Sequence, residues 1–189
     1  MTTATTTDLA RLTGAYDLDP THTRLGFVAR HAMVTKVRGA FNEFTGTAHV
    51  DGERPAASSV TVEIQAASID TRNEDRDGHL KSNDFFDMEN HPTITFSSTA
   101  IEQVDDATFR VTGDLTIKGT TRPITFDLEF LGAATDPFGN ERIGFDGRVD
   151  INRKDWGVNW NAALDTGGVL VGEKVTLEFE VSAVKRTDA

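Results

Sequence analysis

The sequence contains no cysteine, which excludes disulfides, thiolate metal sites and cysteine nucleophiles. It has no apolar run of about 18 residues, so no helix is predicted to span a bilayer. Residues 1–16 lack a basic cluster followed by an apolar stretch, so no secretory signal is predicted and a cytoplasmic location is expected. The G-x-S-x-G, Walker A and G-x-G-x-x-G signatures of hydrolases and nucleotide-binding proteins are also missing.

The chain is acidic, with 189 residues and a formal net charge of −11. This net negative charge argues against nucleic acid and anionic membrane surfaces as partners, because proteins bind both mainly through a basic face. It does not argue against a neutral apolar ligand. The length predicts one domain, which we place at residues 14–186 after a flexible tail of residues 1–13.

Strict alternation of apolar and polar residues dominates the sequence. It runs through residues 44–51, 59–66, 93–97, 108–117, 124–130, 142–151 and 175–182, and less regularly through 24–31. A period of two with one polar face indicates antiparallel strands in a sandwich or barrel, and the short connections favour a meander. We therefore predict an all-β fold, a single antiparallel up-and-down β-barrel of about eight strands.

Two stretches interrupt this pattern. Residues 74–82 can form about two helical turns, and residues 152–170 form a long connection that carries both tryptophans. Long connections in a barrel often close one end, so one or two short helices are expected to cover an end. The predicted inward face combines phenylalanines with glycines and alanines, which either leave room for a ligand or only bend the strands.

Residues 73–84 follow the spacing of an EF-hand calcium loop, with Asn73, Asp75, Asp77 and Asp84 at oxygen-ligand positions. The match departs from the motif at the first and last ligand and in the strand that precedes it. The alternative is an acidic helix start, capped by Asn73 or Asp75. The histidines show no HxxxH or HExxH spacing, so no metal site is predicted. Asp165-Thr166-Gly167 resembles an aspartic protease loop, but too little chain follows it.

Several segments taken in order resemble the YceI-like family over about Gly14 to Lys185. They are residues 19–23 with Phe27 and His31, residues 37–41 with Phe44 and Gly46, residues 76–82 followed by 85–87, residues 91–96, residues 115–121 and residues 151–157. The resemblance implies a lipocalin-like barrel that encloses an apolar tunnel and binds long isoprenoid chains. Many members are periplasmic, and this chain departs from them in lacking a predicted signal. The family offers no established catalytic residues.

Together these observations predict a soluble lipid-binding protein, not an enzyme. It would hold a long isoprenoid or similar amphiphile, such as a polyprenyl lipid or quinone tail, as a carrier or reservoir, and need no other cofactor. We expect the tunnel to be lined by Phe27, Ala29, Phe44, Phe96, Val111, Phe126, Phe130, Phe145 and Val149. His31 and Arg38 are candidates for contacting a head group, and Phe85, Phe86, Trp156 and Trp160 for gating or flooring the tunnel.

Two alternatives stay open at this point. One is an enzyme acting on an amphiphile in the barrel, with His31 or an aspartate near Phe85 and Phe86 as acid or base. The other is a stress-related interaction protein whose barrel is filled by side chains. No stable membrane insertion is expected. An exposed barrel edge or aromatic side chain would allow a homodimer.

Overall fold

A computed structural model describes residues 8–187, in which eleven antiparallel strands form one sheet. The strands are β1 (Gly14–Leu18), β2 (Arg24–His31), β3 (Thr35–Phe41), β4 (Phe44–Val50), β5 (Ser59–Gln65), β6 (Ile69–Asp70), β7 (Thr93–Gln103), β8 (Thr108–Ile117), β9 (Thr120–Thr135), β10 (Glu141–Asn152) and β11 (Val171–Lys185). Eight of them, in the order β1-β4-β5-β7-β8-β9-β10-β11, close into a barrel because β11 also pairs with β1. The predicted barrel is confirmed, with β2, β3 and β6 as additional strands.

The predicted alternation sets the two faces of the sheet. In β8 the side chains of Val111, Leu115 and Ile117 are buried, whereas the threonines between them lie towards solvent. Thr112 and Thr116 each form a hydroxyl hydrogen bond with a threonine across the β8–β9 ladder. This cross-strand pairing fixes which residues of β8 and β9 face inward.

One α-helix, α1 (Glu74–Lys81), covers part of the barrel and agrees with the predicted helical turns. Asn73 caps it, since its side chain accepts a hydrogen bond of 2.9 Å from the backbone N–H of Arg76. The long connection after β10 begins with the 3₁₀ turn Arg153–Trp156. Within residues 8–187, no helix has the length and apolar character required to cross a membrane.

Part of the predicted N-terminal tail packs against the barrel. Leu9–Leu12 form a 3₁₀ turn, and Leu12 contacts the cluster around Tyr16. The Tyr16 hydroxyl donates a hydrogen bond of 2.8 Å to the Leu12 carbonyl. The packing of Leu12 and this hydrogen bond place the turn against the barrel. Residues 1–7 lie outside the described part, and the domain limits of 14–186 stay a prediction.

The ladder between β9 and β10 ends halfway along both strands. It runs from Glu141↔Thr135 to Gly147↔Leu128, although β9 stays paired with β8 down to Thr120 and β10 with β11 down to Asn152. The 3₁₀ turn Arg153–Trp156 lies beside this opening: Arg122 donates to the Asp155 carbonyl, and the Trp156 indole to the Leu115 carbonyl. One end of the barrel contains this opening, the β2–β3 turn and residues 74–92. We call it the split end.

At the opposite end of the barrel, Arg142 connects the residue that follows β1 to the β9–β10 turn. Its guanidinium donates to Asp19 at 2.7 Å and to Asp136 at 2.8 Å. Partial burial raises the pKa of Asp19, but hydrogen bonds from Arg142, His22 and Thr21 outweigh it and hold that pKa well below its usual value. The hydrogen bond from Arg142 likewise lowers the pKa of Asp136. Both carboxylates are therefore stabilised in their charged form.

The lowered pKa values make this cluster a source of pH-dependent stability. Its contribution is present above the unfolded-state pKa of about 3.9 and is lost as the pH falls towards the lower folded-state values. We expect Arg142→Met to be less stable than the parent at about pH 7, with the difference shrinking at about pH 3. Urea unfolding at both pH values measures this, with Arg110→Met, from an exposed pair with Asp127, as the control. A difference independent of pH would contradict the assignment.

Trp156 is expected to stabilise the split end through its indole hydrogen bond and its volume. Its side chain is buried, and its Nε1–H lies 2.9 Å from the Leu115 carbonyl oxygen. Trp156→Phe should lower the free energy of unfolding by about 1–3 kcal/mol, because it removes this donor and leaves a small void. Trp160→Phe, at a half-buried position, should cost less than about 1 kcal/mol. Equal losses in the two variants would show that the Trp156 contacts have no special role.

Candidate ligand-binding cavity

The barrel encloses a cavity of about 300 Å³. Its wall consists almost wholly of hydrocarbon and aromatic side chains that the alternating strands direct inward. They include Leu25, Ile64, Ile94, Leu115, Ile117, Ile124, Leu128, Ile143, Ile151, Val175, Leu177, Phe179 and Val181. This volume is at the lower end of the range for ligand pockets, about 300–1,000 Å³.

A smaller cavity of about 90 Å³ lies towards the end that carries Arg142. It shares Leu128, Ile143 and Phe145 with the larger cavity, so the two adjoin each other along the barrel. Leu9 and Leu12 of the N-terminal 3₁₀ turn help to line it. The turn therefore covers this end of the apolar interior.

The split end of the cavity is covered by residues that interrupt the strand pattern. Leu80 of α1, Phe85 and Phe86 line the cavity from one side, and Trp156 and Val158 from the other. Phe86 meets Phe41 edge to face, with ring centroids 6.0 Å apart. Phe85 and Phe86, the candidates for gating or flooring the tunnel, thus lie against the cavity.

Trp160 and His79 support this cover from behind. Trp160 packs against Phe85 at 5.4 Å between ring centroids and against the His79 ring at 4.6 Å. The Nε2 atom of His79 lies 2.8 Å from an oxygen of Asp84, which fixes the imidazole beside the two rings. The cover thus joins α1 to the connection after β10 through aromatic contacts, while the polar contact holds the His79 ring against the residues that follow α1.

Arg153 is the one buried arginine among residues 8–187, and it lies in the cavity wall at the split end. Its three guanidinium nitrogens donate to the carbonyls of Gly172, Val158 and Val171 at 2.9, 2.6 and 3.2 Å. Burial lowers the pKa of this guanidinium. Because every nitrogen has a carbonyl partner, the arginine ties the connection after β10 to β11 and turns little polar surface towards the cavity.

The predicted lining residues divide into three groups. The larger cavity is lined by Phe27, Ala29, Phe85, Phe86, Phe96, Phe126, Phe145 and Trp156. Val111 and Phe130 line the smaller cavity, together with Phe145. Neither cavity is lined by His31, Arg38, Phe44, Val149 or Trp160.

The two predicted head-group residues lie outside the cavity for different reasons. His31 is the last residue of β2, exposed beyond Ala29, where the lining of this strand ends. Arg38 pairs with Val28 on the outer face of the β2–β3 hairpin, and its side chain lies 3.9 Å from Glu178. Phe44 is buried against Leu18 and Leu25 within the wall.

The space over three inward glycines is occupied by neighbouring side chains. The Phe96 ring lies directly over Gly113, and a Cβ atom at Gly147 would be 2.6 Å from Leu128. Leu18 lies over Gly46 in the same way, because a Cβ atom added at Gly46 would be 2.8 Å from the Leu18 side chain. These glycines allow neighbouring large side chains to approach the sheet closely.

Several lining residues were missed although the alternation contained them. Ile94, Leu115, Ile124 and Leu177 lie on the predicted inward faces, but their aliphatic side chains gave no signal that separates a cavity wall from a filled core. Arg153 was missed because no periodicity marks a buried cation. The only sequence feature that drew attention to it was its place in residues 151–157, a segment that resembles the YceI-like family.

Two residues of the segment with EF-hand spacing make hydrogen bonds around α1. The Asp77 carboxylate accepts hydrogen bonds from the backbone and hydroxyl of Thr71, and Asn73 caps the helix. Residues 8–187 contain no group of three or more metal-ligating side chains arranged to hold an ion. Residues 165–167 lie in an exposed turn that precedes β11.

Comparison with known proteins places this geometry in a family. The family model of the YceI-like domain matches residues 16–183. A UPF0312 protein of Staphylococcus epidermidis is 42% identical over 171 residues, which cover 89% of this chain and 95% of that protein.

Solved structures share the fold. The crystal structure of BcnA from Burkholderia cenocepacia has a TM-score of 0.77 and 26% sequence identity, covering 87% of this chain and 98% of that one. A polyisoprenoid binding domain from Saccharophagus degradans has a TM-score of 0.69 at 15% identity, covering 90% and 98%, and shows the fold alone. On the family match and the close relative, the chain belongs to the YceI-like domain family.

Proposed function

We propose that the protein binds a long apolar molecule, such as an isoprenoid chain or similar amphiphile, inside the barrel and serves as its carrier or reservoir. The observation that supports this most strongly is the cavity of about 300 Å³ with a wall of hydrocarbon. Membership of the YceI-like domain family supports it too, as does the fold shared with a polyisoprenoid binding domain.

The physical basis of binding would be the transfer of apolar surface out of water. Each CH₂ group that enters such a cavity contributes roughly 0.8 kcal/mol, so a few isoprene units suffice for useful affinity. With His31 and Arg38 outside the cavity and the nitrogens of Arg153 bonded to carbonyls, the interior supplies no strong anchor for a head group. We therefore expect selection by chain length and shape more than by the polar end of the ligand.

The two alternatives have less support. An enzyme acting inside the barrel needs an acid or base facing the substrate, but the wall of the larger cavity is almost wholly hydrocarbon, and neither Asp84 nor Asp87 lines it. The one histidine of that lining, His49, is an exposed residue of β4. A barrel filled by its own side chains is not favoured either, because a cavity of ligand size persists beside the close-packed glycines.

A substitution that fills the cavity tests the proposal. Ala29 lines the cavity from β2, and Ala29→Phe places a ring in the space that the ligand would occupy. We expect the affinity for a polyprenol or a long-chain quinone to fall at least about tenfold, which corresponds to about 1.4 kcal/mol. Fluorescence titration with a quinone that quenches the tryptophans measures this loss.

Ala100→Phe provides the matched control, because Ala100 is an exposed alanine of β7 that lines neither cavity. It should bind like the parent. Urea unfolding of both variants identifies a loss of binding that results only from a loss of fold. Equal affinity of parent and Ala29→Phe for the same lipid would argue against a ligand inside the barrel.

A further inference from the structure

The β2–β3 hairpin differs in charge from the rest of the acidic chain. Between Arg24 and Phe41 the sequence contains Arg24, Arg30, Lys36 and Arg38 and no aspartate or glutamate, whereas the whole chain has a net charge of −11. Arg24 and Arg38 share the carboxylate of Glu178, at 3.6 and 3.9 Å. The hairpin therefore keeps an excess of positive charge after its ion pair is counted.

Arg30 and Lys36 form a like-charge pair directly across the hairpin. The Arg30 guanidinium donates only to the Val34 carbonyl, at 3.4 Å, and neither cation has an ion-pair partner among residues 8–187. Opposed like charges destabilise a strand pair. Both side chains are exposed, so they are available to an anionic partner.

The tip of the hairpin is apolar and exposed. Met33 is 61% exposed and Val34 74%, and Val169 of the neighbouring turn is 36% exposed. The backbone N–H of Ala32 donates to the Leu170 carbonyl at 2.7 Å, and Met33 contacts Gly168, so the two turns lie side by side. We call Met33, Val34 and Val169 the apolar tip.

The backbone at the tip is held in an unfavourable conformation. Ala32 and Met33 have φ values of 50° and 61°, a left-handed region that glycine or asparagine usually occupies in such turns. Each residue costs about 1 kcal/mol or more there. Glycine at positions 32 and 33 would make the turn more stable. The sequence instead has an alanine and an exposed methionine there, followed by the exposed Val34.

From these observations we propose that the β2–β3 hairpin docks on the surface of a lipid bilayer with anionic head groups. The apolar tip enters the interfacial layer, while Arg30 and Lys36 contact the phosphates around it. This combination of exposed apolar residues flanked by unpaired cations fits a charged bilayer surface. The nearby carboxylate of Asp165 is one opposing charge on the adjacent turn.

The net charge of the chain does not prevent this contact. The Debye length is about 8 Å at physiological ionic strength, so the bilayer responds mainly to the charges of the hairpin that touches it. The remaining acidic surface favours a single orientation, with the split end towards the membrane. In that orientation the cavity residues Ala29 and Val171 lie next to the docked tip.

The opposite end of the barrel provides an internal comparison. Phe138 in the β9–β10 turn is 89% exposed, but its turn also carries Asp136, and Glu141 follows at the start of β10. An exposed aromatic residue is present there without surrounding free cations. Removing it tests whether any exposed apolar residue would suffice for membrane contact.

Cosedimentation with vesicles tests the proposal on the full chain without a cavity ligand. We expect the parent to bind vesicles of phosphatidylcholine mixed with phosphatidylglycerol, to bind pure phosphatidylcholine weakly, and to be released by salt. Arg30→Gln and Lys36→Gln should each weaken binding about fivefold. The double variant Met33→Ser with Val34→Ser should weaken it about tenfold.

Phe138→Ser and Arg54→Gln are the controls, since they remove an exposed apolar residue and an exposed cation from the other end. Both should bind like the parent. The proposal is overturned if the parent does not sediment with anionic vesicles at low salt, if it binds neutral vesicles equally well, or if the controls weaken binding as much as the hairpin variants. Because the assay is independent of the cavity, its failure leaves ligand binding inside the barrel to be judged separately.

Discussion

The ladder between β9 and β10 ends at Leu128 and Gly147, while both strands continue to the split end. Unpaired strand edges beside an apolar interior need hydrogen-bond partners, because a backbone group buried without one costs free energy and an open edge can pair with another chain. The 3₁₀ turn Arg153–Trp156 provides this cover: Trp156 bonds to β8, and Arg153 ties the following connection to β11. On the other side, α1 and the residues after it bring Phe85 and Phe86 to the cavity. The residues that interrupt the strand pattern therefore close the split end of the apolar cavity.

Most of the fold was predictable because a half-buried antiparallel strand imposes a period of two on its sequence. The alternation from Thr108 to Ile117, for example, identified β8 and its buried face. The helix at α1 was recognisable from Asn73 and the acids behind it. The cavity residues on regular strands, such as Phe27, Phe96 and Phe126, followed from the same parity.

Where the prediction failed, the position depended on long-range geometry that a local pattern does not contain. By alternation, His31 lies on the same side of β2 as Phe27 and Ala29. The part of β2 that lines the cavity nevertheless ends at Ala29. Parity also could not show that Phe96 occupies the space over Gly113. No periodic pattern in the sequence predicts the 3₁₀ turn Leu9–Leu12. Its position depends on the contact of Leu12 with Tyr16. A buried arginine such as Arg153 becomes understandable only when its three carbonyl partners are known.

Native mass spectrometry of the full chain, purified without detergent, tests most directly whether the barrel holds a long apolar molecule. We expect a complex heavier than the chain by the mass of one such molecule, or the uptake of one equivalent of added polyprenol or long-chain quinone. A protein that is detected at the mass of the bare chain and takes up neither lipid would show that the barrel does not hold a long apolar molecule.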